Sequence, residues 1–124
     1  MYITKEQKQI LLQAEEIIEK ATKQAKEKLK FSSYLINVFY DNCLDKKDTD
    51  DVRLIELCEK VNNSIKDFVY YCSDNGYQSV FEISDFNKVE NLPGEVIKKM
   101  ASLLANITQL KIYKSTGVNI NELQ

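Results

Sequence analysis

Four carboxylates have the types and spacing for chemistry on a hard cation. Glu56 and Glu59 stand three residues apart, and Glu82 and Asp85 repeat that interval further along. On a helix, residues three apart share one side. Mg²⁺ takes oxygen ligands, and carboxylates from two facing helices are one way to hold it over a phosphate chain. Against this stands composition: 19 acidic residues in 124 make the interval common by chance. Glu56 also follows Leu54 by two residues, which at ~100° per residue turns it nearly opposite the apolar side of its helix. Glu59 lies off that side too. The plainer state of these carboxylates is a solvated face, and the expectation is no metal and no cofactor.

The spacing matches, in outline, the paired-carboxylate motif of all-α nucleoside triphosphate pyrophosphatases. That outline implies one alternative function, Mg²⁺-dependent release of pyrophosphate, with Glu56, Glu59, Glu82 and Asp85 as ligands. Other catalytic equipment is missing from the chain. With no histidine, the usual general base, the Ser-His-Asp arrangement and His-based metal sites are excluded. Three glycines cannot build a glycine-rich phosphate loop. Arg53 is the lone arginine, so bidentate phosphate or guanine recognition has little to use.

Cys43, Cys58 and Cys72 form no C-x-x-C pair, and an odd number fits a reduced, cytoplasmic setting. Cys58 and Cys72 fall on an apolar helical seam, where free cysteine acts as a small hydrophobe. Cys43 lies among carboxylates that disfavour a thiolate. No cysteine nucleophile is expected.

Charge is uneven. Residues 1–40 carry seven Lys against five Glu, residues 41–90 six basic against twelve acidic residues, and the remainder four against two. The first helix holds Lys5, Lys8, Lys20, Lys23, Lys26, Lys28 and Lys30, a set able to touch a nucleic-acid backbone without reading sequence. An ordinary solvated face is the simpler account in a chain of net charge −2. Nucleic-acid binding through this helix is a further alternative and not the main expectation.

These residues sit on elements written clearly into the chain. No Gly or Pro precedes Gly76, which favours long helices. Thr4 with Gln7 forms a capping box, and Ile10, Leu11, Ala14, Ile17, Ile18, Ala21 and Ala25 recur at helical spacing behind it. Tyr34, Leu35, Val38 and Phe39 continue the helical pattern. Asp41–Asp51 (DNCLDKKDTDD) reads as an acidic loop, with Asp48 or Thr49 capping the next helix. That helix has a regular seam, Leu54, Cys58, Val61, Ile65, Phe68 and Cys72, suited to a partner helix.

Ser73–Phe86 (SDNGYQSVFEISDF) admits two structures. Asn75-Gly76 between apolar runs signals a β-hairpin over residues 68–83. It equally marks a helix stop, with Ser79 and Glu82 capping a short helix through Val80, Ile83 and Phe86. The seam running straight into Cys72, and the lack of a third strand to cover a hairpin, favour the stop. Pro93 opens the last helix, whose seam is Val96, Met100, Leu103, Ile107 and Leu110. A second strip, Ile97, Ala101 and Leu104, makes this helix either central or shared with a second copy.

The fold class expected is all-α: a single compact bundle of four to five helices over residues 1–117, with 118–124 a loose tail. No apolar run is long enough for a membrane span, and MYITKEQKQI lacks the apolar region of a signal segment, so export by that route is not expected. Of the function classes considered, a small non-catalytic protein-binding module suits such a chain best. It would be a stoichiometric inhibitor or regulator of the immunity or anti-defence type. The abundance of Lys, Asn, Ile and Tyr fits an AT-rich genome, such as that of a phage or mobile element. The expected surface is acidic and aromatic: Asp45, Asp48, Asp50 and Asp51 with Tyr70, Tyr71 and Tyr77. A homo-oligomer through the last helix is the other association considered.

Overall fold

The computed structural model describes residues 4–21, 29–86, 89 and 91–118. In chain order come α1 (Lys5–Ala21), α2 (Phe31–Lys47), α3 (Val52–Asp74), a 3-10 turn (Gln78–Glu82) and α4 (Gly94–Thr116). No strand occurs among the described residues, so the all-α expectation holds and the hairpin does not form.

The capping box at the start of α1 is made reciprocally. The Gln7 amide N–H donates to Thr4 Oγ1 at 3.2 Å and the Thr4 N–H to Gln7 Oε1 at 3.0 Å. Leu11, Ala14 and Ile18 are the buried line of this helix, and the small Ala14 side chain lets a neighbour approach. The expected seams of the two long helices are the centre of the bundle. In α3, Cys58, Val61, Phe68 and Cys72 are fully buried, and in α4 so are Val96, Met100 and Leu103. Cross-links from Lys60 to Gln109, Ser64 to Asn106 and Asp67 to Lys99 show that α3 and α4 run antiparallel.

The second apolar strip of α4 is also internal. Ile97 and Leu104 are buried, and α1 is the other helix packed along α4. Of the strip that suggests a dimer through the last helix, Ile97 and Leu104 thus lie inside the chain and Ala101 is half-buried.

The Asn75-Gly76 break is a Schellman cap. Gly76 adopts φ 77°, the Tyr77 N–H reaches back to the Cys72 carbonyl at 2.7 Å, and the Gly76 N–H points to Ser73 O at 3.5 Å. The apolar contact that accompanies this cap is the Tyr71–Tyr77 ring pair, 6.3 Å between centroids. Beyond the cap, the chain departs from the expected capped helix. Residues 78–82 wind as a 3-10 turn with Tyr77 as N-cap, and no side chain caps it. Ser79 lies inside the turn.

Two further boundaries move. α2 runs on through Lys47, so most of the expected acidic loop is helix, and Asp48 ends α2 rather than starting α3. The cap of α3 is Asp51, whose Oδ1 accepts the Arg53 and Leu54 N–H groups at 3.0 and 3.3 Å. The reason α2 continues is a buried amide pair. Asn42 Nδ2 donates to Asn62 Oδ1 at 2.9 Å, and Asn62 Nδ2 donates to the Phe39 carbonyl at 3.3 Å. The polar residues of DNCLDKK thus belong to a helix that presents Asn42 to α3.

Chemical denaturation tests both the cap and the amide pair. Gly76→Ala should cost about 1 kcal/mol, since a Cβ meets nothing within 4 Å and the left-handed φ is the whole penalty. Gly94→Ala, at a helix start with only Gln7 Nε2 at 3.6 Å, should be neutral or stabilising in the same assay. Asn62→Leu should cost about 2 kcal/mol by orphaning Asn42, and adding Asn42→Leu should recover part of it.

Candidate functional site

The expected surface residues do not form one patch. Asp45, Asp48, Asp50 and Asp51 gather at the turn from α2 to α3. Tyr70, Tyr71 and Tyr77 stand at the opposite end of α3. Asp51 and Tyr70 are nineteen residues apart, which at ~1.5 Å rise per residue separates them by about 28 Å along the helix. Two of the carboxylates are also engaged within the chain. Asp45 is ion-paired to Lys114. Asp51 Oδ2 accepts the Tyr113 hydroxyl at 2.7 Å in addition to capping α3. Both ties fasten the turn to the C-terminal end of α4. Tyr71 and Tyr77 are half-buried against each other, and the Lys99 ammonium lies 5.0 Å from the centre of the Tyr71 ring. Among the three tyrosines, Tyr70 is the exposed one.

Nor do the four glutamate and aspartate candidates converge. Glu56 and Glu59 are exposed on α3. Glu82 is bound to Lys30 at 2.6 Å on the 3-10 turn. Because Phe81 packs on Phe68, that turn sits about 13 Å along α3 from Glu59, counting nine residues at ~1.5 Å each. Among the described residues no three His, Cys, Asp or Glu side chains come together as a metal site would require.

The lysine face of the first helix is only partly described. Lys23, Lys26 and Lys28 lie outside the described residues, as do 119–124 of the tail. Lys20 pairs with Glu16 at 3.3 Å and Lys30 with Glu82. Cys58 and Cys72 are free and buried, and burial pushes both thiols up. Cys43 is not in a loop but on α2, where its Sγ accepts from Asn62 Nδ2 at 3.6 Å.

A different surface stands out. Ile36, Tyr40 and Leu44 form a line four residues apart on the outer side of α2, and their exposures are 54%, 65% and 59%. Beside this line runs a groove of about 400 Å³ between α2 and α3, closed at one end by the 3-10 turn. Ile36, Phe39 and Tyr40 supply one wall, Ile65 and Val69 the other, and Phe81 the end. Three large apolar side chains in one exposed line, joined to an apolar groove, exceed the single scattered residues normal to a surface. The spacing 36-40-44 is present in the sequence. It is hidden there because residues from Asp41 onward read as a loop, which cuts the line short before Leu44.

Comparison of the chain with protein-family models, with curated proteins and with solved structures finds no match. The functional reading therefore rests on geometry.

The Asp51 cap gives a pH test. The Tyr113 hydroxyl, with the Leu54 and Arg53 N–H groups, holds the Asp51 carboxyl below its usual value of 3.8. A carboxyl with a lowered folded-state pKa stabilises the fold above its unfolded pKa, and that contribution disappears as pH falls through the folded value. Asp51→Ala should lower Tm by a few degrees at pH 7, and the difference from the wild type should shrink below about pH 4. Tyr113→Phe should reproduce part of the loss at neutral pH.

Proposed function

We propose that this chain is a stoichiometric protein-binding module, of the inhibitor or regulator kind, that docks a partner through the α2–α3 groove. One observation carries the reading: the exposed line Ile36, Tyr40 and Leu44 borders an apolar groove that nothing else in the described chain fills. Leaving three large apolar side chains a little over half exposed forgoes on the order of 1 kcal/mol each. A partner that covers them recovers this, and Tyr40 is of the residue type that anchors interfaces. The groove replaces the acidic and tyrosine patch as the docking surface, because Asp45 and Asp51 already hold α4. The Lys-, Asn- and Ile-rich composition agrees with an origin in an AT-rich genome, and a small inhibitor or immunity factor fits that setting.

The test is a tagged pull-down from nuclease-treated lysate of the natural host, comparing the wild type with Ile36→Asp/Tyr40→Asp. Both side chains are more than half exposed, so helicity by circular dichroism and Tm should hardly change. A partner recovered near one-to-one by the wild type should be reduced at least tenfold with the double variant, as expected for loss of two anchors. Equal recovery by both would sink the reading.

A further inference from the structure

Next to the α2–α3 groove lies a second section of about 270 Å³, and Phe39 lines both parts. The second section is polar: Lys46 projects from α2, and Glu59, Asn63 and Lys66 from α3. Lys66 Nζ lies 5.7 Å from the centre of the Phe39 ring, so its charge stands where the apolar section meets the polar one. Lys30, Lys99 and Lys114 each have a carboxylate partner. Among the described residues, Lys46 and Lys66 form no ion pair. With Glu59 the section keeps an excess of one positive charge, on a chain whose net charge is −2.

Resting on the protein-binding reading, we propose that the groove takes an amphipathic helix of the partner, with apolar anchors and, to one side of them along that helix, an Asp or Glu that reaches Lys46 and Lys66. Three features lead to this occupant. Both walls are helices, and no strand edge is present among the described residues to add a β-strand to. Ile36, Tyr40 and Leu44 form a ridge of residues four apart, the row into which a second helix packs. The position of the charge along the groove is also set. From Tyr40 to Lys46 is six residues, or about 9 Å at ~1.5 Å per residue, so the acidic side chain belongs one to two turns from the residue that meets Tyr40, on its N- or C-terminal side according to which way the helix lies. An extended or proline-rich segment would meet neither the ridge nor this interval.

The experiment displays a library of peptides randomised on a helix-favouring scaffold and selects it against the intact chain. Enriched peptides are then synthesised with a fluorescent label and measured by anisotropy. The expected winners carry apolar residues at i, i+3 or i+4, and i+7, with Asp or Glu one to two turns to one side of them. Ile36→Asp should weaken them at least tenfold, as for loss of one anchor. Lys46→Glu/Lys66→Glu should weaken them about tenfold at low salt and favour analogues bearing Lys at the acidic position. Lys98→Glu, on α4, should leave them unchanged.

Winners without an acidic preference, or indifferent to the double charge reversal, overturn the proposed partner chemistry. If Ile36→Asp still abolishes their binding, the groove remains the docking surface. Failure to enrich any peptide, or winners unaffected by Ile36→Asp, overturns the helix-in-groove proposal. The pull-down then decides separately whether a protein partner exists. Sedimentation equilibrium gives the last arm: a dimer abolished by Ile36→Asp would assign the face to a second copy of the chain and overturn the proposal.

Discussion

Phe31 is the joint on which the other contacts depend. It is the first residue of α2, and its N–H, which no helical carbonyl can serve, donates to the Ile83 carbonyl at 2.8 Å. Its ring is fully buried between Phe68 of α3 and Phe86, with centroids 5.8 and 5.5 Å away and edges turned to faces. Such edge-to-face pairs add roughly 0.5–1.5 kcal/mol each beyond the area they bury. Phe81 extends the cluster by packing on Phe68 at 5.9 Å. The irregular chain after the 3-10 turn lacks helical partners for its amides. The Glu15 carboxylate of α1, itself buried, takes the Phe86 N–H at 2.5 Å. One aromatic cluster and two hydrogen bonds thus bind α1, α2 and α3 around the segment that closes the groove.

The two helices that are apolar on more than one side resolve in opposite ways. α4 has both strips covered, one by α3 and the other where α1 packs. α2 has its inner residues Phe31, Tyr34 and Leu35 buried and its outer line in water. Four α-helices leave nothing to lie over α2 on that side among the described residues. The apolar surface is therefore a property of the arrangement, not of the composition of α2.

That contrast explains what could be read from the sequence. The seams of α3 and α4 were legible because the apolar positions recur every three or four residues without interruption. The break at Asn75-Gly76 was legible because the seam entered it intact, which left the cap as the consistent structure. The path of residues 41–47 was not legible. Its polar residues look like a loop until Asn42 and Asn62 are seen to satisfy each other inside the bundle, a tertiary contact that overrides local preference. The acidic and tyrosine residues stand apart for a geometric reason. The two groups flank a long helix and so stand at its opposite ends, and Asp45 and Asp51 serve as ties to α4. The outer line of α2 had the right spacing, but no pattern says which of two apolar faces the fold will leave bare.

The Asn42–Asn62 pair has a consequence for how any visitor meets the groove. Sliding α2 along α3 by one turn, about 5.4 Å, would break the amide bond and strand two polar groups in the core. The pair therefore holds α2 and α3 in one register along the groove. Under the docking proposed above, walls already in register leave more of the ordering cost to the incoming segment, and one that is helical in isolation has the advantage over one that must fold on contact.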